Sequence, residues 1–586
     1  MKVCSTRGIL GIAVLSISAC ATTPMQTDQS SPDSAKQKTS TPVVQKPFKE
    51  EPGDVKFDNA SADIMYQILI AELATQRGKP EVASKFYVDA AKESRDPKIA
   101  SRAVRIASFA NKKDDALAAA KIWIENEPDS AEAQRVLAVL YLRNGNFEDA
   151  QGLLTKLLNS DSEATSRNLL LTGALLQREA SKEGAAKIAA HLVTVYPDRA
   201  ESHYVHASLA IQINQNEAAL KSIKKTLDIR PDWIDAVILY PRILQENGKN
   251  AEAVKYLENF VKNNPKEDTV RLSYARVLVD ERKLDDARSQ FELLAVKMPN
   301  NQEVLFPLAM ISMQFKEYDE AEGYLTQLNS VGKTSPQVTY YLGQIAEQKK
   351  DYTGAINWYS QIHSGDYHLE SQLRISVITA KTKSIEEARD LLHAITPRTD
   401  EEKREVLLFE GNLLRDFKHY KLAFDFYTDL LKENPKDSEY LYYRSLVAER
   451  INRVDIVIRD LTYVIEKDPT NAAALNALGY TLADRTDKLE EALKLIQRAK
   501  DLEPDDAAIV DSLGWVNFRL GNHEAALKYL KEAMAKITDG EVAAHYGEVL
   551  WATGKKEEAI KVWQKAKEQF KDNEILLNTL ERFGQQ

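Results

Sequence analysis

Small side chains recur in pairs along most of the chain, and the two members of a pair lie twelve positions apart. Ala138 and Ala150 form one such pair, and Gly514 and Ala526 form another. Small side chains let two helices approach closely, so each pair marks the crossing of two packed helices. A glycine lies between the two positions in both examples, at Gly145 and Gly521, and predicts the turn that joins the helices.

The helix pairs follow one another at a fixed interval, and prolines between them share it. Four prolines lie 34 residues apart, at Pro197, Pro231, Pro265 and Pro299. Proline is disfavoured inside the following helix and therefore separates consecutive pairs. A unit of this length built from two helices is characteristic of the tetratricopeptide repeat, abbreviated TPR.

Small residues at the eighth and twentieth positions of this motif define fifteen repeats between about Asp63 and Asn573. The paired positions are Ala71/Ala83, Val104/Ala116, Ala138/Ala150, Gly173/Ala185, Ala207/Ala219, Pro241/Ala253, Ala275/Ala287, Ala309/Ala321, Gly343/Ala355, Ser376/Ala388, Gly411/Ala423, Ser445/Val457, Gly479/Ala492, Gly514/Ala526 and Gly547/Ala559. The remaining residues, 574–586, are expected to form a capping helix. We therefore predict an all-α protein, a TPR α-solenoid in which about fifteen helix-turn-helix repeats stack into a superhelix.

The regularity of the repeats divides the array into three parts. We predict an N-terminal TPR array over 61–330, an irregular TPR-like section over 331–400 and a C-terminal array with the capping helix over 401–586. The middle section is either a hinge or a run of drifted repeats, and its segments 330–335 and 396–400 are interpreted as loops or weak junctions. Pro241 takes a position where Gly or Ala is usual, which predicts a kink or a shifted helix start.

The first residues resemble a targeting signal rather than part of the fold. A basic start with Lys2 and Arg7 precedes a ten-residue apolar stretch, which is too short to cross a bilayer. The stretch ends in Ile-Ser-Ala-Cys at Cys20, which resembles a bacterial lipobox; the alternative is an ordinary signal peptide. We predict a signal peptide over 1–19 and an acylated Cys20 that opens a disordered tether over 20–60. By resemblance to lipoprotein sorting, Ala21 after the cysteine favours the periplasmic side of the outer membrane.

Composition excludes several classes of function. The chain of 586 residues has a net charge of −10 and a pI of about 5.6 without a basic stripe, which argues against nucleic-acid binding. Its two cysteines are Cys4, inside the signal, and Cys20, so neither a disulfide nor a catalytic cysteine is expected in the mature protein. No phosphate-binding loop, zinc-protease motif or nucleophile elbow is present.

Two histidine pairs are candidate metal ligands. His203 and His206 lie one helical turn apart but at motif positions that favour packing within the stack, and His363 and His368 flank a Gly-Asp loop. We therefore predict no enzyme, no metal, no cofactor and no small-molecule substrate.

The first helix of each repeat lines the concave face of such a superhelix, with motif positions 2, 5, 9 and 12 facing a ligand. In the C-terminal repeats these positions and their immediate neighbour combine aromatic rings with amide and charged groups, which suits binding of an extended peptide. The alternative is that the large rings pack against the next repeat. The candidate peptide-binding residues are Tyr442, Asn476, Tyr480, Asp511, Trp515, Phe518, Arg519 and Trp551.

Three segments, 94–103, 476–484 and 511–521, together with the lipobox and the length, resemble the large TPR outer-membrane lipoproteins of gammaproteobacteria. The resemblance extends over nearly the whole chain. It implies a scaffold that activates a periplasmic carboxyl-terminal processing protease and delivers client proteins such as cell-wall hydrolases to it. An assembly factor for a pilus, a secretin or a polysaccharide exporter is the alternative, because it would use the same groove.

Overall fold

The computed structural model describes residues 62–159, 165–331 and 335–585. Within these ranges the regular secondary structure is helical, with thirty-one α-helices, one short 3₁₀-helix and no strand. None of the helices in these ranges is long and apolar enough to cross a membrane. The predicted signal peptide, Cys20 and nearly all of the tether lie outside the described residues.

The described residues divide between Val304 and Leu305 into two compact units, here called the N-terminal and the C-terminal unit. The helices that belong wholly to the N-terminal unit are α1 (Ala62–Gln76), α2 (Pro80–Ser94), α3 (Pro97–Phe109), α4 (Lys113–Asn126), α5 (Ala131–Arg143), α6 (Phe147–Asn159), α7 (Thr165–Glu179), α8 (Lys182–Val195), α9 (Ala200–Ala210), α10 (Asn216–Ile229), α11 (Ile234–Glu246), α12 (Asn250–Asn263), α13 (Asp268–Asp280) and α14 (Leu284–Lys297). The division falls inside α15 (Gln302–Gln314).

The C-terminal unit contains the remaining helices. They are α16 (Tyr318–Val331), α17 (Pro336–Gln348), α18 (Tyr352–Tyr359), α19 (His368–Thr382), α20 (Ile385–His393), α21 (Asp400–Asp416), α22 (Tyr420–Glu433), α23 (Ser438–Arg450), α24 (Val454–Lys467), α25 (Ala472–Arg485), α26 (Leu489–Leu502), α27 (Ala507–Arg519), α28 (His523–Lys536), α29 (Gly540–Ala552), α30 (Lys556–Gln569) and α31 (Glu574–Arg582). Helices α1 to α30 form the fifteen predicted pairs, and α31 is the predicted capping helix. The predicted fold is confirmed.

The small residues lie where the helices cross, as predicted. All fifteen residues at the twentieth motif position are buried, each with an exposed fraction of 1% or less. Their partners at the eighth position are buried too, and the six glycines among them lack room for a larger side chain. A Cβ on Gly547 would overlap the indole of Trp563, and a Cβ on Gly514 would lie 2.6 Å from Cγ of Leu530. These close approaches explain why the motif requires small residues.

Local sequence explains where the helices begin and how each pair turns. Asp437, Asn471 and Asp506 precede α23, α25 and α27, and each side chain accepts hydrogen bonds from backbone N–H groups of the first turn. In twelve of the fifteen repeats the turn between the two helices contains a residue with positive φ, such as Gly145 at 77° or Gly521 at 83°. Glycine adopts this conformation without steric cost, which ends the first helix and reverses the chain.

The section predicted to be irregular keeps the paired helices but changes their lengths. Helices α18 and α20 have 8 and 9 residues, and α21 is extended to 17. The loop interpretation of 330–335 is wrong for Ser330 and Val331, which belong to α16, whereas 396–399 do connect two helices. Pro241 lies inside α11, which starts in register with its neighbours, so the shifted start does not occur.

Each unit has its own apolar core. In the N-terminal unit the largest cluster includes buried side chains from Ile64 to Leu209. In the C-terminal unit the largest cluster includes side chains from Leu373 to Val516, and both Tyr480 and Trp515 belong to it. The predicted groove residues of the C-terminal unit are therefore fixed on a packed scaffold.

Candidate protein-binding groove

Three successive first helices of the C-terminal unit, α25, α27 and α29, bring polar and aromatic side chains together. On each helix these residues are four positions apart, so they share one face. They are here called the inner cluster: Asn476, Tyr480 and Asp484 of α25, Asp511 and Trp515 of α27, and Glu541 and His545 of α29.

His545 is the centre of the inner cluster. Its Nδ1 lies 2.9 Å from Oδ2 of Asp511, and its ring stacks on the indole of Trp515 with centroids 4.3 Å apart. Its Nε2 lies 3.4 Å from the hydroxyl of Tyr480, which donates to Oε1 of Glu541 at 3.0 Å. With both ring nitrogens donating, the arrangement fits an imidazolium held between two acceptors.

Electrostatics favour that charged form. Burial lowers the pKa of His545, but the charge and hydrogen bond of Asp511, together with the charges of Glu541 and Asp484, raise it to about 9. The pKa of Tyr480 lies well above its usual value because burial and the same carboxylates disfavour the phenolate. At neutral pH the inner cluster therefore contains a cationic His545 and a neutral Tyr480 among carboxylates.

This arrangement predicts a pH-dependent stability. The pKa of His545 is raised in the folded protein, so protonation of this residue stabilises the fold. Its contribution to the free energy of unfolding is complete below the ordinary pKa of 6.5 and is lost as the pH rises through about 9. Denaturant unfolding between pH 6 and 9.5 should show this decrease for the wild type. His545→Asn should lack that part of the slope, and His363→Asn, which removes an exposed imidazole, should keep it. Equal slopes for the wild type and His545→Asn would contradict the assignment.

Two acceptor atoms of the inner cluster have no hydrogen-bond partner among the described residues. They are Oδ1 of Asn476 and Oδ1 of Asp511, whose residues are only 6% and 5% exposed. A buried acceptor without a partner costs about 1–3 kcal/mol, so a hydrogen bond from an incoming N–H group would recover this free energy. Both oxygens are covered in the folded chain, so such a group reaches them once neighbouring side chains move aside. They lie on consecutive first helices, as a ladder of contacts to an extended backbone requires.

Asp484 links α25 to α27 at the edge of the cluster. The indole Nε1 of Trp515 donates to Oδ1 of Asp484 at 3.3 Å, and Nη1 of Arg519 donates to its backbone carbonyl at 3.0 Å. The guanidinium of Arg485 lies 2.9 Å from the same carboxylate. Arg519 therefore holds two repeats together, and Trp515, which is buried, contributes to the packing between them.

The structure separates the predicted groove residues into two sets. Asn476, Tyr480, Asp511 and Trp515 belong to the inner cluster, and Arg519 borders it. Phe518 lies at its edge, with its ring 5.4 Å from that of Trp515.

The two remaining candidates lie elsewhere. Trp551 packs on Trp563 and Phe583 at centroid distances of 5.9 and 5.5 Å, and Tyr442 contacts the ring of Tyr443 at 5.5 Å. Their role in binding stays a prediction, and Cys20 lies outside the described residues.

Sequence reasoning missed His545, Glu541 and the cluster role of Asp484. His545 stands at motif position 6, between the positions assigned to the stack and those assigned to the groove. A signal was available, because Asp511 and His545 are 34 residues apart, one repeat period. A carboxylate and an imidazole one repeat apart lie on adjacent first helices and can pair.

Three of the four candidate metal ligands form hydrogen bonds within the fold. Nε2 of His203 lies 2.8 Å from the carbonyl of Pro197, and Nδ1 of His206 lies 2.7 Å from the hydroxyl of Ser222. Nδ1 of His368 lies 2.7 Å from the carbonyl of Ile362. Among the described residues no group of three or more His, Cys, Asp or Glu side chains could hold a metal ion.

Several solved structures share limited similarity with the chain. The hetero-tetramer Cut9–Hcn1 of the APC/C aligns with 89% of this chain and 96% of its own, at 13% identity and a TM-score of 0.32. The TPR protein TTC0263 of Thermus thermophilus aligns with 31% of this chain and 96% of its own, at 24% identity and a TM-score of 0.28. Scores this low carry no argument of their own.

Family models and a related protein match this chain by sequence. Models described as tetratricopeptide repeat match residues 367–572 and 101–164, and the Psidin N-terminal TPR repeats region matches 209–345. The TPR repeat-containing protein PA4667 of Pseudomonas aeruginosa is 37% identical over 493 residues, which cover 84% of this chain and 83% of the relative. The chain therefore belongs to the family of tetratricopeptide-repeat proteins, which in general act as non-catalytic scaffolds for protein interactions.

Proposed function

We propose that this protein is a lipid-anchored scaffold on the periplasmic side of the outer membrane, and that its inner cluster binds an extended segment of a client protein. The observation that carries the proposal is a pair of buried acceptors, Oδ1 of Asn476 and Oδ1 of Asp511, for which the described part of the chain supplies no hydrogen-bond donor. Side-chain acceptors beside aromatic rings bind the backbone N–H groups of an extended chain, while the rings supply apolar contact area.

The more specific role is that of an adaptor for a carboxyl-terminal processing protease. The lipobox-like sequence around Cys20 and the similarity of segments 476–484 and 511–521 to the TPR lipoproteins support it. An anchored scaffold raises the local concentration of protease and client at one membrane, which accelerates cleavage without any catalytic group of its own.

Asn476→Ala tests the groove without disturbing the fold. The substitution removes a buried acceptor that has no partner among the described residues, so the free energy of unfolding should stay unchanged or increase. Binding of an extended client peptide should weaken about tenfold, the cost of one hydrogen bond of about 1.4 kcal/mol. Fluorescence anisotropy with a labelled segment of a cell-wall hydrolase measures the affinity, and urea unfolding measures the stability.

The exposed Asn357→Ala, on α18, is the matched control and should change neither quantity. Unchanged affinity in Asn476→Ala would contradict the groove. The adaptor role needs a separate measurement, the initial rate at which the purified protease cleaves the same hydrolase. If adding the wild-type protein leaves that rate unchanged, the protein is not an adaptor of this protease.

A further inference from the structure

The N-terminal unit presents a cationic surface that stands apart from the acidic character of the chain. Five arginines on the first helices of its second, third and fourth repeats are exposed, although the whole protein has a net charge of −10. They are Arg105 of α3, Arg135 and Arg143 of α5, and Arg167 and Arg178 of α7. We call this surface the arginine groove.

Two of these arginines, Arg135 and Arg143, border an apolar cavity. A space of about 280 Å³ is lined chiefly by Val136, Val139 and Leu140 of α5 and Leu175 of α7, with Arg135 and Arg143 at its border. Ser108 of α3 completes the lining. A cavity of this size accepts apolar side chains as large as leucine or phenylalanine.

Helical spacing extends the same face beyond the cavity. Arg105 precedes Ser108 by one turn on α3. On α7, Arg167 and Leu171 precede Leu175 by two turns and one turn, and Leu171 is 57% exposed. Residues at these spacings share a helix face, so Arg105 lies on the face of α3 that carries Ser108, and Arg167 and Leu171 lie on the face of α7 that carries Leu175.

The positive charge of the arginine groove is only partly neutralised. Glu179 is shared by Arg143 at 2.6 Å and Arg178 at 2.7 Å, so one carboxylate serves two guanidinium groups. Arg105, Arg135 and Arg167 have no carboxylate within ion-pair distance among the described residues. Glu132 lies one turn before Arg135, but Nε of Arg135 donates to the carbonyl of Ala131 at 3.1 Å.

We infer that the arginine groove binds a partner protein through an acidic segment in which carboxylates alternate with large apolar side chains. Charge complementarity selects the carboxylates, since guanidinium groups pair with them in bidentate fashion. The concave apolar cavity selects side chains that can enter it, a requirement that a flat lipid surface does not meet. This surface belongs to the N-terminal unit and does not depend on the peptide proposed for the inner cluster.

The probe is a fluorescein-labelled synthetic peptide of alternating glutamate and leucine pairs, titrated with the mature protein and followed by anisotropy. Wild-type binding should weaken steeply with added salt, because ionic contacts at an exposed surface are screened. Replacing every glutamate of the probe by glutamine should reduce the affinity at least tenfold. A similar reduction in affinity is expected for the triple variant of the protein, Arg105→Gln/Arg135→Gln/Arg167→Gln. Leu171→Ser should weaken binding of the probe by an amount that does not depend on the salt concentration.

The control variant, Lys187→Gln/Lys224→Gln/Lys255→Gln, removes three exposed cations from second helices of the same unit and should bind as the wild type does. All of these side chains are exposed, so circular dichroism should show unchanged helicity. Equal affinity of the arginine variant and the wild type would overturn the inference. So would preferential binding to phosphatidylglycerol vesicles that is lost in the arginine variant, since the partner would then be a lipid surface.

Discussion

Trp563→Ala is expected to destabilise the last repeat by about 3–5 kcal/mol, the usual cost of deleting a large buried aromatic side chain. Trp563 is fully buried, and its ring stacks on Trp551 at 5.9 Å and on Phe583 at 5.2 Å. Its Nε1 donates to the carbonyl of Ala544 at 3.3 Å, and Gly547 leaves the space that the indole fills. Alanine would leave a cavity that joins three helices.

The loss of stability in Trp563→Ala should be confined to the last repeat, because each repeat in such an array is stabilised by its own core and by its neighbours. Native-state hydrogen exchange should therefore show reduced protection in α29, α30 and α31 and little change in α17. Phe109→Ala is the control, since this ring is 81% exposed and its removal should cost no more than about 0.5 kcal/mol. Unchanged exchange in α29 to α31 for Trp563→Ala would show that the last repeat is not packed around this ring.

The fold could be predicted because its rules are local and repeated. Where the two helices of a repeat cross, at least one residue of the pair at the eighth and twentieth positions is Gly, Ala or Ser, so these pairs mark every repeat, even where helix lengths change. Pro241 shows the limit of such reasoning. A proline usually disturbs a helix, but in α11 the surrounding packing keeps the helix in register with its neighbours.

The inner cluster was only partly predictable, because it depends on which side chains of adjacent repeats meet. Motif position puts Asn476 and Asp511 at equivalent places on consecutive first helices, and their role in binding stays a prediction. It did not reveal His545, whose role depends on the orientation of α29 against α27. Trp551 is an aromatic residue at a motif position predicted to face the groove. Its ring nevertheless packs on Trp563 and on Phe583, which follows the capping helix. Periodicity predicts a face of a helix, whereas contacts between helices decide how each side chain is used.

The two proposed surfaces differ in chemistry, and this difference suits a scaffold that holds two partners. The inner cluster offers acceptors and carboxylates around one imidazolium. The arginine groove offers five exposed guanidinium groups beside an apolar cavity, and three of them have no carboxylate within ion-pair distance among the described residues. A segment that fits one surface is disfavoured by the charge of the other. Each partner would therefore be directed to its own unit, which prevents a single peptide from occupying both.

Cys20→Ser is expected to move the protein from the membrane fraction to the soluble periplasmic fraction. If Cys20 is acylated, several acyl chains hold the protein in the bilayer, and each buried methylene contributes about 0.8 kcal/mol. Serine has no thiol to accept the lipid. Metabolic labelling with radioactive palmitate and fractionation of cell envelopes should show loss of label and of membrane association together. Cys4→Ser is the matched control, because that residue lies in the predicted signal peptide and its replacement should leave both properties unchanged.

The same variant separates anchoring from binding. The purified mature form of Cys20→Ser should bind client peptide with wild-type affinity, since the groove lies in α25, α27 and α29. In cells it should fail to support cleavage of membrane-associated clients, because the scaffold no longer concentrates them at the membrane. Palmitate label retained by Cys20→Ser, or absent from the wild type, would refute the lipid anchor. Peptide binding at the inner cluster would still be tested independently, by the affinity of Asn476→Ala.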